Sequence, residues 1–425
     1  MSPTNPPAPR GRRTVARHGA LTSPSPFGQL LKLLGVMLAV VLVAGAGVTA
    51  YAAYDLTASF TDEAVALEGQ DSVPPDIGAI EGGVNLFIAG TDECLPEFAD
   101  YFGDRCTGAD AGGELNDVNL LVHISDNPRR VTVISFPRDL MTEIPVCTNA
   151  DGSEAGGISK GQINSAFTYG GLSCAVKTVS ELSGLSIPFA AKVNFGGVIN
   201  ITDAIGGVEV CIGNGGIRDS YTGIDWPAGM RNVQGLDALQ FLRTRHGLEN
   251  GSDLARISNQ QQYMSRLAHK LVGEDVLSNP ALLYKLATTA VENVTPSQSL
   301  ANPLTLVQIA LAVKSVPFDE IVFLQYPVYD DPSDSNRVVP NYDAADQLWA
   351  ALAANQPIVP TSDPDSTGGV IVAEPGTEVT PAPVESADPG ATPAPSESVV
   401  ELNSSIPGTT AAQATCSAGN LRADG

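Results

Sequence analysis

Val118-Asn119-Leu120-Leu121-Val122-His123-Ile124 and Val131-Thr132-Val133-Ile134-Ser135-Phe136 are two short apolar runs, and Asp126-Asn127-Pro128 between them is a turn signal. They read as neighbouring strands. A third apolar strand precedes them at residues 84–89, and residues 190–195, 208–212 and 320–325 add three more. Helical stretches alternate with these strands: 163–169, 175–182, 198–205 (ended by Gly206-Gly207), 236–243, 253–272, 280–291 and 304–313. In the stretch 253–272, Leu254, Ile257, Met264 and Leu271 form one apolar stripe at helical spacing. Interleaving on this scale predicts an α/β or α+β fold around a central β-sheet flanked by helices.

The flanks differ in kind. Residues 33–54 are uncharged and long enough to span roughly 30 Å of hydrocarbon. Arg10, Arg12, Arg13, Arg17 and Lys32 precede them, and no acid occurs before Asp55. The positive-inside rule then predicts a transmembrane helix with a cytoplasmic N-terminus. The rival reading is a cleaved signal peptide with a site near Ala50-Tyr51-Ala52, but signal cores are shorter, about 7–15 residues. The predicted organisation is a basic disordered cytoplasmic tail over 1–32, the membrane helix at 33–54, a stalk at 55–82, a globular domain at 83–354, and a Pro/Thr/Ser/Glu-rich disordered tail at 355–425. No internal repeat is visible.

The chain has 425 residues and a net charge of −24, which argues against nucleic acid as its main partner. All six cysteines follow the apolar segment, as expected for disulfides in an oxidising compartment, with buried free thiols as the alternative. Zinc-ligand spacing is absent, as are G-x-S-x-G, H-E-x-x-H and Walker A signatures.

The basic residues carry more information. Arg138 follows a strand in Phe136-Pro137-Arg138-Asp139, and Lys160 and Asn164 lie just before a helix. Arg243 and Arg245 sit where a helix gives out, and Arg256 shares a helix face with Gln260. Any one arginine reads equally as a salt-bridge partner for acids such as Asp139 or Asp253. The set, in a chain so short of bases, reads as a phosphate or pyrophosphate site, because the guanidinium fork matches phosphate oxygens and keeps its charge. Asp92 and Asp117 stand at the mouths of neighbouring strands. They read either as turn or cap residues or as a pair able to hold Mg²⁺.

In order and spacing, residues 84–92, 117–124, 134–139, 163–171, 238–246 and 253–261 resemble the LytR-CpsA-Psr family of cell-wall glycopolymer ligases, in its actinobacterial form. The resemblance implies a central mixed β-sheet with an apolar pocket for a lipid chain. It implies a phosphotransferase that moves a glycopolymer from a polyprenyl-pyrophosphate carrier to a peptidoglycan acceptor outside the cell membrane. By motif match it implies Asp92 and Asp117 as ligands of Mg²⁺, with Mn²⁺ as an alternative. Arg138, Arg243, Arg245 and Arg256 would act on the pyrophosphate, and Lys160, Asn164, Gln260 and Asp139 would line the site, Asp139 by orienting an arginine. The competing readings are a polyprenyl-pyrophosphate hydrolase and a membrane-anchored lipid-binding sensor of the envelope.

One departure concerns the position two residues before Asp117. The family carries arginine there and this chain has Leu115, with Arg105 as a candidate substitute. Cys94 is expected to pair with Cys106, and Cys147 with Cys174 across the rim of the site, leaving Cys211 and Cys416 unassigned. The charge asymmetry around residues 33–54 makes a direct prediction: protease added to intact protoplasts should digest everything beyond Asp55 and spare an N-terminal tag. Protection of the whole chain would reverse the orientation.

Overall fold

The computed structural model describes residues 60–61, 64–70, 83–93, 99, 104–108, 115–149, 151–273, 276, 279–373 and 399–421. These belong to the unit that runs from Leu56 to Gly425. The predicted cytoplasmic tail and membrane helix lie outside the described residues, among which no helix is long and apolar enough to cross a membrane.

The first half of the fold contains β1 (Val84–Thr91), β2 (Asn116–Ile124), β3 (Val131–Phe136), β4 (Met141–Thr148), β5 (Glu154–Gln162), α1 (Ala166–Ser183), β6 (Phe189–Asn194), α2 (Phe195–Ala204), β7 (Val208–Asp219), β8 (Ile224–Val233) and α3 (Gly235–Arg243). The second half contains α4 (Asp253–Ala268), α5 (Pro280–Asn293), β9 (Val294–Pro296), α6 (Pro303–Lys314), β10 (Ile321–Gln325), β11 (Val328–Asp331), β12 (Asp334–Pro340), α7 (Tyr342–Ala353), β13 (Ile358–Val359), β14 (Val370–Val372), β15 (Val400–Glu401), β16 (Gly408–Thr410) and β17 (Thr415–Ser417).

Seven strands make the central mixed sheet, in the order β16-β10-β3-β2-β1-β6-β9. The two runs that decide the fold, β2 and β3, lie in its middle and pair antiparallel. Every residue of β3 is buried, so apolar side chains are needed on both faces. Alternation splits them cleanly. Ile134 and Phe136 join Val176, Val179 and Leu348, from α1 and α7, on one face. Val131 and Val133 join Phe323, Ala312 and Met264, from β10, α6 and α4, on the other. The result is a helix–sheet–helix sandwich.

Four expectations change. The stretches 163–169 and 175–182 become a one-turn 3-10 segment, Ile163–Ser165, followed by a single α1. Gly170 and Gly171 still break α1, with Gly171 at a φ of 60° that only glycine takes easily. The stretch 253–272 ends as an α-helix at Ala268 and finishes in a π-turn.

The stalk and the tail also change. Residues 64–70 of the predicted stalk are docked: Val65 bridges Ser297, and Glu68 accepts a hydrogen bond from Lys177 Nζ at 2.7 Å. The predicted disordered tail holds strands in both 358–372 and 400–417. β16 is the edge of the central sheet, and β17 sits between β14 and β7. Mean composition hid this, because a few apolar residues such as Leu402, Ile406 and Ala418 are enough to bury a short segment against partners far away in sequence.

Cys147 and Cys174 are joined, tying β4 to α1, with neither cysteine lining the cavity described below. Cys211 and Cys416, 205 residues apart, are joined between β7 and β17. Cys106 is disulfide-bonded, while Cys94 lies outside the described residues.

His123, buried near the end of β2, faces Asn85 across the β1 register, and its Nδ1 lies 2.8 Å from Asn85 Oδ1. Arg130, ion-paired with Glu320 at 2.9 Å, lines the same small void. Burial depresses the His123 pKa from 6.5 to about 4. As pH falls below 6.5 the unfolded chain therefore binds the proton first. Stability is complete above that value and drops toward pH 4, by up to about 3 kcal/mol. His123→Gln should flatten this part of the profile in urea unfolding measured against pH. An unchanged slope would mean that His123 is not the group responsible.

Candidate active site

The site starts at a defect in the strand ladder. Gly90 pairs with Val118 but Thr91 pairs with Asn116, so Asp117 is an extra residue in β2. A bulge of this kind re-aims the side chain it carries. Asp117 Oδ1 accepts a hydrogen bond from Arg138 Nη1 at 2.9 Å. Asp92, just past β1, is clasped by Leu115: its Oδ1 accepts from the Leu115 amide at 2.8 Å, and its own amide donates to the Leu115 carbonyl at 3.1 Å. The leucine that stands where arginine was expected is 37% exposed. The Arg105 side chain lies outside the described set.

Arg138 also lies 3.4 Å from Asp253 and 3.8 Å from Asp139. Burial opposes its charge, yet Asp117 and Asp253 outweigh burial and its pKa is raised. Asp253 opens α4, whose N-cap Ser252 accepts from the Ala255 amide. One helical turn on, Arg256 Nη2 lies 2.6 Å from Asp253 Oδ1 and 3.3 Å from the Asp117 carbonyl. Burial pushes the Asp253 pKa up and the Arg256 pKa down, each countered chiefly by the other. Asp117, Arg138, Asp253 and Arg256 thus form one ionic chain that joins β2, the end of β3 and α4.

A second group is built at the end of α3. Its last carbonyls receive side chains from α4: Asn259 Nδ2 donates to Phe241 O and Gln260 Nε2 to Leu242 O, each at 2.9 Å. Arg243, in the last turn, places its guanidinium 4.6 Å from the centre of the Phe195 ring. The following loop wraps around the carboxylate of Asp219, which is 1% exposed. Asp219 accepts from Thr244 Oγ1 at 2.8 Å, the Arg245 amide at 3.1 Å, the Gly247 amide at 3.3 Å and the Tyr221 amide at 3.0 Å. Burial alone would raise its pKa, but these hydrogen bonds lower it. A Cβ on Gly247 would meet Ile217 Cγ2 at 2.4 Å, so the loop closes only on glycine.

These groups surround a cavity of about 520 Å³. Four arginines (138, 243, 245 and 256), two aspartates (117 and 219) and Gln260 line it. The rest is largely apolar, including Ile88, Leu120, Phe195, Ile201, Met264 and Leu267. Polarity changes along its length: α4 lines it from Arg256 and Gln260 to Met264 and Leu267, a run of roughly 16 Å at 1.5 Å per residue. In the strands, likewise, the polar Asp117 and the apolar Val118 and Leu120 line it in turn.

Asp117, the four predicted arginines and Gln260 therefore share one cavity. Asp139 instead accepts from Arg337 Nη1 at 2.7 Å and Gln162 Nε2 at 2.9 Å. Lys160 Nζ lies 2.6 Å from Asp331 Oδ2, and Asn164 is buried in the 3-10 turn. From sequence Asp253 reads only as a salt-bridge acid, although it starts the helix that carries Arg256. Asp219 had no local signal, because it is 26 residues from the Arg245 amide it holds.

Residues 50–354 match the LytR_cpsA_psr family. The chain is 28% identical over 316 residues to the cell wall biosynthesis protein LcpA of Corynebacterium glutamicum, covering 69% of this chain and 58% of that protein. It is 29% identical over 246 residues to the probable cell wall biosynthesis protein LcpB of the same organism, covering 57% and 55%. It thus spans little more than half the length of these two curated relatives. The polyisoprenyl-teichoic acid–peptidoglycan teichoic acid transferase TagT of Bacillus subtilis is 23% identical over 302 residues, covering 70% and 86%. A structure of TagT bound to LIIa-WTA has the same fold, with a TM-score of 0.50 at 19% identity, covering 68% of this chain and 98% of TagT.

The ionic chain predicts a stability effect. Asp253→Ala leaves the buried Arg256 without its carboxylate partner, while Arg138 keeps Asp117, and losing one partner of a buried pair typically costs about 3–5 kcal/mol. Urea unfolding of the variant should show a loss of that order. A loss under about 1 kcal/mol would mean the cluster is hydrated rather than buried.

Proposed function

The chain belongs to the LytR_cpsA_psr family, and from that premise we propose that it is a Mg²⁺-dependent phosphotransferase that joins a glycopolymer, carried on polyprenyl pyrophosphate, to peptidoglycan at the outer face of the cell membrane. One observation carries this reading. A single cavity runs from four arginines to an apolar lining, which suits a molecule with a diphosphate at one end and a hydrocarbon chain at the other. In a chain with 47 acids against 23 bases, such a local excess of arginine fits an anionic ligand.

In this mechanism the apolar residues hold the isoprenoid chain and fix the diphosphate beside the arginines. Arg243 and Arg245 bind the non-bridging oxygens. Arg138 and Arg256, paired with Asp117 and Asp253, hold that end of the cavity rigid and direct their remaining N–H groups at the phosphate oxygens. An acceptor hydroxyl attacks the sugar-bearing phosphorus, the bridging P–O bond breaks, polyprenyl phosphate leaves with the bonding electrons, and the hydroxyl proton passes to solvent. Positioning and charge neutralisation would then supply most of the acceleration.

Asp92 and Asp117 fit a hard cation, since they are carboxylates at adjacent strand ends. Among the described residues no group of three or more acid, His or Cys side chains could hold a metal by itself, so the remaining ligands of an ion there would have to be substrate phosphates and water. Bound there, Mg²⁺ would neutralise diphosphate charge.

The test is to incubate the full-length protein in detergent with a polyprenyl-pyrophosphate glycan, Mg²⁺ and peptidoglycan fragments. A covalent glycan–peptidoglycan product is expected. Arg243→Lys and Arg245→Lys should each lower turnover about 10²–10³-fold at saturating Mg²⁺, because lysine keeps the charge and loses the fork. Asp92→Asn and Asp117→Asn should instead move the Mg²⁺ titration to higher concentration. Folded variants that transfer at the wild-type rate would misplace the site. Release of polyprenyl phosphate without transfer would favour a hydrolase, and tight lipid binding without either reaction would favour a sensor.

A further inference from the structure

We propose that Tyr221 and His246 form a binding platform for a pyranose ring at the mouth of the cavity. The inference deepens the function proposed above and rests on it for the identity of the neighbouring phosphate. Tyr221 lines the cavity yet is 80% exposed, more than any other large apolar or aromatic side chain described. Its ring is not isolated. It packs on the imidazole of His246, also a lining residue, with centroids 4.5 Å apart and planes 34° from parallel. His246 Nε2 is in turn 3.3 Å from Arg245 Nη2. The exposed aromatic surface is therefore continuous with the arginine cluster.

The backbone under both rings is held from two directions. Asp219 takes the Tyr221 amide on one oxygen, and the Thr244 hydroxyl with the Arg245 and Gly247 amides on the other. The C-terminal segment closes the loop from outside. Asn420 Nδ2 donates to the carbonyls of His246 at 3.1 Å and Arg218 at 2.8 Å, its Oδ1 accepts from the Arg218 amide at 2.9 Å, and its own amide donates to Gly247 O at 2.9 Å. The turn before Tyr221 and the loop with His246 are thus tied together before any ligand arrives. A side chain left in solvent without function would need no such support.

The ligand class follows from the chemistry. A pyranose has an apolar C–H face and a polar hydroxyl rim. The negative face of an aromatic ring attracts the first, while the phenol and the adjacent guanidinium can hydrogen-bond the second. The ring in question is either the sugar joined to the donor's diphosphate or a sugar of the acceptor glycan.

Binding titrations on the full-length protein in detergent separate these sources. The first arm compares polyprenyl diphosphate with polyprenyl diphosphate bearing one N-acetylglucosamine; the second uses soluble peptidoglycan glycan fragments. Wild type should prefer the glycosylated lipid by about fivefold. Tyr221→Ala should bring that ratio close to one, and Tyr221→Phe should keep most of it. If Tyr221→Ala leaves the ratio intact and weakens only the glycan fragments, the platform stands and serves the acceptor ring. Unchanged behaviour of Tyr221→Ala in both arms overturns the proposal. Failure of wild type to bind either lipid would sink the phosphotransferase reading, while a Tyr221-dependent affinity for glycan fragments would still uphold the platform. With so exposed a residue, thermal melting should not differ among the variants.

Discussion

The polar half of the cavity depends on one buried carboxylate. Asp253 lies within 2.6 Å of Arg256 and 3.4 Å of Arg138, and those two arginines also contact Asp117 through its carbonyl and its carboxylate. Ionised groups taken out of water are tolerated only when paired. The chain therefore cannot bury the arginines beside the central sheet without also placing α4 with its first turn at the end of β3. That placement decides where the remaining lining goes, because Gln260, Met264 and Leu267 follow on the same helix.

The second half of the site is fixed by hydrogen bonds rather than by ion pairs. A helix end leaves carbonyls without intrahelical partners. At α3 they are taken by Asn259 and Gln260, so α4 sets α3 as well as carrying Arg256. Beyond that end, the loop with Arg245 has few apolar side chains to hold it, and the carboxylate of Asp219 serves instead as its centre. The electrostatic result is an arginine cluster within a strongly acidic chain, a short-range feature that net charge does not report.

The segment after residue 399 changes the view of where the folded unit ends. It lies beyond the family match, which stops at residue 354. Even so, β16 extends the central sheet and β17 lies against β7, where Cys416 is bonded to Cys211. Through Asn420 the same segment reaches the loop that carries Arg245 and His246. A region outside the shared family core thus contributes directly to the shape of this chain's site.

Much was legible from residues alone. Apolar runs bounded by turn residues located β1, β2, β3, β6 and β10, because a strand covered on both faces is mostly apolar. Helical periodicity and glycine stops located α2, α3 and α4 to within a few residues. Arginines at element ends marked the polar lining, since a charge so placed needs either a ligand or a partner. What local pattern could not give were the contacts whose two halves lie far apart in the chain. The β4–β5 hairpin is held by backbone pairing between a glycine-rich strand and its neighbour, which leaves little hydrophobic signature. Asp219, Asn420 and Cys416 looked like ordinary polar or leftover residues, and the apolar residues after 399 were diluted by their neighbours. Their partners are 26, 174 and 205 residues away. Sequence reports the free energy a residue can offer locally, whereas these residues gain theirs only when the sheet brings distant backbone and sulfur within bonding distance.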